Sequence, residues 1–334
     1  MNQLKDLISQ AWQNRSDLKA HWQEEHTDCY RIFHGTNEGL PGTTLDRYGS
    51  LLILQTFHKS IAEDELAQVR EFIHEEFANL HLVYNDRCGD NSRIQDNPDD
   101  IHELDTAPME ANELGVKYRV KGRHQGQDPW LFLDLRAGRR YVKAHCEGKT
   151  VLNLFSYTCG IGIAAAVGGA KRVVNVDFAE SSLAVGIENA KLNNLNQVEF
   201  IHSDVFPAIK QFANMPIAVR RGKKLPKYPK HSPEQFDLVF LDPPRWAKSA
   251  FGNVDLIRDY QSLFKPSLLA TKDGGTLICC NNVAQVDRDE WLELLKRCAI
   301  KAGRPLKSIE ILLPDADFPS PDGNQPLKIA ICQL

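Results

Sequence analysis

The chain has 334 residues, of which 42% are hydrophobic, 25% charged and 8% aromatic. These proportions fit a folded globular protein and exclude collagen-like, fibrous and disordered readings, while the length predicts two domains. Its 40 basic and 44 acidic side chains leave a formal charge of -4, so any attraction to a polyanion has to be local.

From the N-terminus, Leu4, Leu7, Ile8, Ala11, Trp12, Leu18 and Trp22 recur at helical intervals and predict one amphipathic helix over residues 3–25. The opening residues lack the basic patch and apolar block of a secretory leader, and no apolar run approaches the roughly 20 residues of a spanning helix. With eight cysteines scattered without a repeated C-x-x-C spacing, a cytoplasmic protein with reduced thiols and no membrane segment is expected. Residues 30–57 alternate short β-rich runs with Gly and Pro turns and predict a strand meander. A helix over 61–77 follows, then strands over 80–84 and 114–120. The polar segment 121–128 marks a boundary, giving a helical arm (1–27), a small α+β domain (28–122) and a larger domain (123–334).

In the larger domain, strand-length apolar runs at 150–155, 172–176, 198–201, 237–241 and 276–280 are separated by helix-length segments. This alternation predicts an α/β fold, a doubly wound parallel sheet covered by helices on both faces. Two last runs, 308–313 and 327–332, predict a terminal hairpin.

Ligands of such sheets sit beyond the carboxyl ends of the strands. After the first strand comes Asn153-Leu-Phe-Ser-Tyr-Thr-Cys-Gly160-Ile-Gly162, a small-residue loop whose glycines permit close backbone approach. The second strand ends at Asp177, placed to accept hydrogen bonds from ribose hydroxyls, and the third turn supplies Asp204, able to meet an adenine edge. Together they predict an adenosine-containing cofactor. Gly160-Ile-Gly162-Ile-Ala-Ala165 also satisfies the dinucleotide fingerprint, so a nicotinamide-dependent oxidoreductase is the competing reading. The fourth strand weighs against it. It ends Asp242-Pro243-Pro244-Arg245-Trp246, and two prolines hold carbonyls rigidly outward as a ledge for a base edge, with Trp246 to stack on the ring.

NLFSYT with its glycines, Asp177, Asp204, DPPRW and the closing hairpin resemble the class I S-adenosylmethionine methyltransferases. More narrowly, GLPGTTLDRYG, FLDLRAGRRYV and LNLFSYTCG resemble the large-subunit ribosomal RNA methyltransferases that carry a small central domain. The resemblance implies a Rossmann-like catalytic domain and cofactor contacts at Phe155, Ser156, Tyr157, Thr158, Gly160, Asp177, Asp204 and Asp242. Arg136 lies close by, and Asn153, Phe178 and Val205 are counted with the set as immediate neighbours. Members that methylate cytosine C5 usually add an N-terminal RNA-binding barrel, which is not expected in this chain, and a cysteine nucleophile after the fifth strand. The matching position is Asn282, as in a branch that methylates a guanine ring nitrogen. A nitrogen lone pair needs no covalent activation, whereas C5 needs a thiolate at C6. Nitrogen is therefore the expected target, with Asp242, Pro243, Pro244 and Asn282 as the catalytic set. Cys279 and Cys280 are the alternative nucleophiles for C5 chemistry.

Residues 219–231 hold Arg220, Arg221, Lys223, Lys224, Lys227 and Lys230 with no acid. They predict phosphate contacts with RNA, joined by Trp246 and with Tyr228 available for stacking. A ribosomal RNA partner is expected, for a monomer or homodimer; a non-catalytic RNA-binding module is the remaining alternative. No metal site is expected: His26 and Cys29 lack a second pair, and His145 and Cys146 are adjacent.

Overall fold

The computed structural model describes residues 4–89, 102–123, 129–217 and 226–334. The N-terminal apolar stripe is helical, but it breaks at Arg15 into α1 (Leu4–Asn14) and α2 (Ser16–Glu24). Arg15 is the cause. Its guanidinium turns back to the Ala11 carbonyl at 3.0 Å and pairs with Glu38 at 2.8 Å. Leu4, Ile8, Ala11 and Trp22 are buried in one core with Ile32, Leu45 and Leu54. Leu4 and Ile8 each contribute about 1.5–3 kcal/mol on burial. The arm is thus an integral part of the small domain.

In that domain β1 (Cys29–Phe33), β2 (Thr43–Tyr48) and β3 (Leu51–Thr56) form the expected antiparallel meander. After α3 (Glu63–Glu76), β4 (His81–Asp86) returns parallel to β3. Beyond α4 (Glu103–Thr106), the single strand expected at 114–120 is a hairpin, β5 (Met109–Glu113) and β6 (Val116–Val120). Its two-residue turn is Leu114-Gly115, both at positive φ (56° and 71°), which matches the twist of the paired strands. Helix α5 (Arg136–His145) follows.

The chain divides into two compact units, Met1–Arg136 with Asp315–Gly323, and Ala137–Pro314 with Asn324–Leu334. The division therefore falls at residue 136 rather than 122, and part of the loop inside the C-terminal hairpin belongs to the first unit. Polar composition marked 121–128 as the boundary, whereas Arg136, at the division itself, pairs with Asp315 and Asp317 of the first unit.

The second unit runs β7 (Thr150–Leu154), α6 (Gly160–Val167), β8 (Arg172–Asp177), α7 (Glu180–Leu192), β9 (Val198–His202), α8 (Val205–Phe212) and β10 (Phe236–Leu241). It continues with a short hairpin, β11 (Trp246–Lys248) and β12 (Asn253–Asp255), then α9 (Gln261–Leu269), β13 (Thr271–Asn281), α10 (Arg288–Lys301), β14 (Ser308–Leu312) and β15 (Lys328–Gln333). The sheet order is β14-β15-β13-β10-β7-β8-β9, with β13 to β9 mutually parallel and β15 antiparallel to both neighbours. Consecutive residues Val151 and Leu152, Leu238 to Leu241, and Leu277 and Ile278 are all buried, so both faces of the sheet are covered, which explains why these strands read as continuous apolar runs. Strand order reverses between β7 and β10, which makes their carboxyl ends the place to look for a ligand. No helix among the described residues is long and apolar enough to cross a membrane.

Candidate active site

The loop leaving β7 is built from backbone that ordinary side chains avoid. Phe155, Tyr157 and Cys159 have φ of 56°, 48° and 64°. Each non-glycine residue in that region costs about 1–3 kcal/mol, a strain that persists only where surrounding contacts impose it. Here they do. The Ser156 N–H donates to the Val176 carbonyl at 3.0 Å, the Cys159 N–H to the Ser156 carbonyl at 2.7 Å, and the Tyr157 N–H to Asp177 Oδ2 at 2.8 Å. The loop is thereby held against the tip of β8. Ser156 and Thr158 are buried.

Asp177 is 4% exposed, and its second oxygen accepts the Ala179 N–H at 2.8 Å. Burial pushes its carboxyl above the ordinary aspartate range, against the downward pull of the Ala179, Tyr157 and Phe178 N–H groups. Each oxygen keeps a lone pair beyond those bonds, which suits two donor hydroxyls. The next residue, Phe178, is 58% exposed and offers an aromatic face beside that carboxylate. Asp204 caps α8 by accepting the Phe206 N–H at 2.9 Å. Asp177 and Asp204 lie on adjacent tips, because the Ser203 N–H donates to the Asp177 carbonyl at 2.9 Å.

The fourth strand delivers Asp242 to the same rim: its N–H faces the Leu154 carbonyl at 3.4 Å, across the β7–β10 switch point. Pro243 is buried and Pro244 half-buried behind it. At the end of β13, Asn281 is buried and Asn282 exposed. Cys279 and Cys280 are both fully buried, and burial drives the Cys279 thiol well above its usual range.

Three of the expected contact residues have side chains engaged within the fold. Asn153 is buried and donates to Asn175 Oδ1 at 2.9 Å, cross-linking β7 to β8 beneath the rim. Val205 is part of the hydrophobic core. Arg136 is fully buried in the first unit, where its guanidinium pairs with Asp315 and Asp317 and donates to the Cys29 carbonyl at 2.7 Å. Burial opposes that charge, but the two carboxylates outweigh it and hold the proton on. Gly162 also has a packing reason: a Cβ there would lie 2.1 Å from Asn175 Oδ1.

Of the basic run, Arg220, Arg221, Lys223 and Lys224 lie outside the described residues. Lys227 and Lys230 are exposed. The Lys230 ammonium sits 3.9 Å over the Tyr228 ring, whose other close aromatic contact is Phe251, edge-on at 5.5 Å. Tyr228 is therefore engaged within the protein rather than free to stack. Phe251 belongs to the β11–β12 hairpin, which also presents Trp246 at 63% exposure. Sequence reading missed this hairpin. Its signal was the turn pair Gly252-Asn253, with the Ser249 N–H closing on the Gly252 carbonyl at 2.9 Å.

Spacing also missed one potential ligand trio among the described residues: His81, His102 and Asp105, whose ligand atoms lie within 4.8 Å of one another. His81 Nε2 and Asp105 Oδ1 are hydrogen-bonded at 2.6 Å, and Arg123 approaches the other oxygen at 3.9 Å, so the trio serves to tie α4 to β4.

Comparison with known proteins bears on the chemistry of this rim. The family model for S-adenosylmethionine-dependent methyltransferases matches residues 30–333. A Ribosomal RNA large subunit methyltransferase I from Shigella flexneri is 28% identical over 306 residues, 89% of this chain and 72% of that protein. Among solved structures, a methyltransferase crystallised with SAH superposes with a TM-score of 0.78 at 22% identity, covering 100% of this chain and 82% of its own. A SAM-dependent methyltransferase described from Streptococcus mutans gives 0.77 at 22%, covering 99% and 80%. At that identity the two structures speak to the fold.

Proposed function

The chain belongs to the S-adenosylmethionine-dependent methyltransferases, and from that membership we propose that it methylates a base of RNA, large-subunit ribosomal RNA, at a nitrogen rather than at cytosine C5. When bound, S-adenosylmethionine supplies a methyl group on a sulfonium, which a nitrogen lone pair takes without covalent activation of the base. The residues of the rim suit that cofactor. Asp177 offers two buried carboxylate oxygens to the ribose hydroxyls, Phe178 an exposed ring to the adenine face, and Asp204 a cap oxygen near the base edge.

The observation that carries the choice of nitrogen is the burial of both Cys279 and Cys280, with the exposed Asn282 at the end of the same strand. Cys279, with no access to solvent and a raised pKa, supplies no thiolate for attack at C6, and Cys280 is equally buried. In this reading the Pro243 and Pro244 carbonyls accept from the base edge, Asn282 orients it, and the Asp242 carboxylate receives the proton that the nitrogen loses. Support for RNA comes from the ribosomal RNA relative, from the exposed Trp246 and from Lys227 and Lys230. The eight free thiols accord with a cytoplasmic location.

Mass spectrometry of nucleosides from large-subunit ribosomal RNA, from cells with and without the gene, tests this directly. A methylated ring or exocyclic nitrogen that disappears with the gene is the expected result. Loss of 5-methylcytosine would reverse the choice of atom, and an unchanged profile would remove ribosomal RNA as the substrate. Asp242→Ala is expected to lower turnover at least 100-fold with unchanged thermal unfolding, on the scale of a lost proton acceptor.

A further inference from the structure

Lys328 is a buried cation that the chemistry proposed above leaves unused. It opens β15 opposite Asn281, the last residue of β13, and is 3% exposed. Its ammonium donates to the Val283 carbonyl at 3.0 Å and to the Pro326 carbonyl at 3.4 Å. Burial lowers its pKa from the ordinary lysine value, with the Asp287 carboxylate pushing the other way. Taking an ammonium out of water is costly, and the hydrogen bonds it makes in the low-dielectric interior are correspondingly strong.

Those bonds end on the turn that carries Asn282. On one side of it, Asn281 Oδ1 accepts the Val283 N–H at 3.0 Å and Asn281 Nδ2 donates to the Leu256 carbonyl at 3.3 Å. An Asn side chain that bonds the backbone two residues on imposes a turn on the residue between them. On the other side, the Val283 carbonyl accepts the Val286 N–H at 3.1 Å as well as the Lys328 ammonium. Asn281 and Val283 are both buried, so the exposed Asn282 is bracketed by two hydrogen-bonded neighbours within the second unit. Leu256 directly follows β12, whose Asp255 pairs with Trp246, and the same network thus joins this turn to the hairpin beyond Asp242-Pro243-Pro244.

We propose that Lys328 is a positioning residue for methyl transfer: by holding the Val283 carbonyl it fixes the turn from which Asn282 meets the target base. The proposal rests on the part given to Asn282 above and deepens it, for Lys328 itself touches neither cofactor nor base. Misplacing a group at a reacting centre by about 1 Å costs turnover on the order of 100-fold. The fold is less sensitive. Replacing the buried ammonium by an apolar side chain of similar length leaves no unpaired ion, and the Val283 carbonyl keeps the Val286 N–H. Lys328→Met therefore separates positioning from stability.

The test compares the full-length wild type, Lys328→Met, Asn282→Ala and the double variant on large-subunit ribosomal RNA from cells lacking the gene. Lys328→Met should lower the single-turnover rate about 10- to 100-fold at saturating S-adenosylmethionine and RNA. Half-saturation by RNA and calorimetric affinity for S-adenosylmethionine should stay within about twofold of wild type, and that affinity also shows that the variant is folded. In the Asn282→Ala background the same substitution should cost less than about twofold, because residues acting as one unit are not additive. Lys328→Gln, which keeps a donor for one carbonyl, should lie between wild type and Lys328→Met. An unchanged rate, a loss confined to RNA half-saturation, or losses that multiply in the double variant overturns the proposal. So do Lys328→Met and Lys328→Gln proteins that both fail to bind S-adenosylmethionine, which would assign Lys328 to the fold alone. Hydrogen exchange without RNA reads the turn directly: the Val283 and Val286 amides should exchange faster in Lys328→Met while those of Tyr157 and Ala179 do not change, and equal exchange overturns the hold. A wild type that methylates no RNA sinks the RNA reading, and exchange then still decides whether Lys328 holds the turn. Wild type and Lys328→Met that methylate RNA alike sink the positioning role and leave the RNA reading standing.

Discussion

Asp177 is a carboxylate buried with backbone N–H groups as its close partners, an arrangement that costs stability until a ligand with donors reaches it. Burial raises its pKa above the ordinary 3.8, so the folded protein prefers the protonated form in a window just above that value. Stability from this group therefore falls as pH rises through the window, while affinity for a ligand with ribose hydroxyls rises with ionisation. Calorimetry from acid to neutral pH should show S-adenosylmethionine affinity climbing and then levelling. Asp177→Asn should flatten that profile and weaken binding about 10- to 150-fold, the range for a hydrogen bond to a charged group. The acids at the strand tips were legible because a strand's end can be read from its apolar run. The inward placing of the Asn153 and Val205 side chains was not legible: along a strand buried on both faces, or at a helix's first turn, sequence does not say which side chain points outward.

At the scale of elements, two devices hold the rim. Helix α6 lies so close to β8 that Gly162 leaves no space for a methyl group beside Asn175. Gly162→Ala should cost about 1–3 kcal/mol through overpacking and should lower cofactor affinity as well, because α6 carries the strained loop; thermal unfolding and calorimetry check the two effects. At the opposite ends of the strands, Asp237 ties β10 to β7. Its Oδ2 accepts both the N–H and hydroxyl of Thr150, at 2.8 and 2.6 Å, and its Oδ1 accepts from Lys272 at 2.8 Å. Burial pushes this carboxyl up, but Lys272 and Thr150 outweigh it and bring it to about 2. The folded pKa thus lies below the unfolded one, so the stabilisation is complete above pH 3.8 and is lost as pH falls towards 2. Asp237→Ala should cost about 1–3 kcal/mol at neutral pH and remove that share of the acid sensitivity in urea titrations.

Across the whole chain, residues 315–323 leave the hairpin between β14 and β15 and join the first unit. Arg136 anchors them there through Asp315 and Asp317, with Asp317 also accepting the Arg31 N–H at 2.9 Å. Arg136→Ala would strand two acids, one of them fully buried, and should destabilise the first unit by about 3–5 kcal/mol, seen as an earlier unfolding transition. Arg136→Lys should rescue little, since an ammonium cannot fork between two carboxylates as a guanidinium does.

Periodicity and turn chemistry, which act between residues close along the chain, were enough to read the parallel sheet, its strand tips and the acids of Asp177, Asp204 and Asp242. The pairing of Arg136 with residues almost 180 positions later, the burial that silences Cys279, and the hold of Lys328 on Val283 arise from contacts between segments remote in sequence. Such contacts leave no local pattern, because each partner alone looks like an ordinary charged or apolar residue, and only folding brings them within reach.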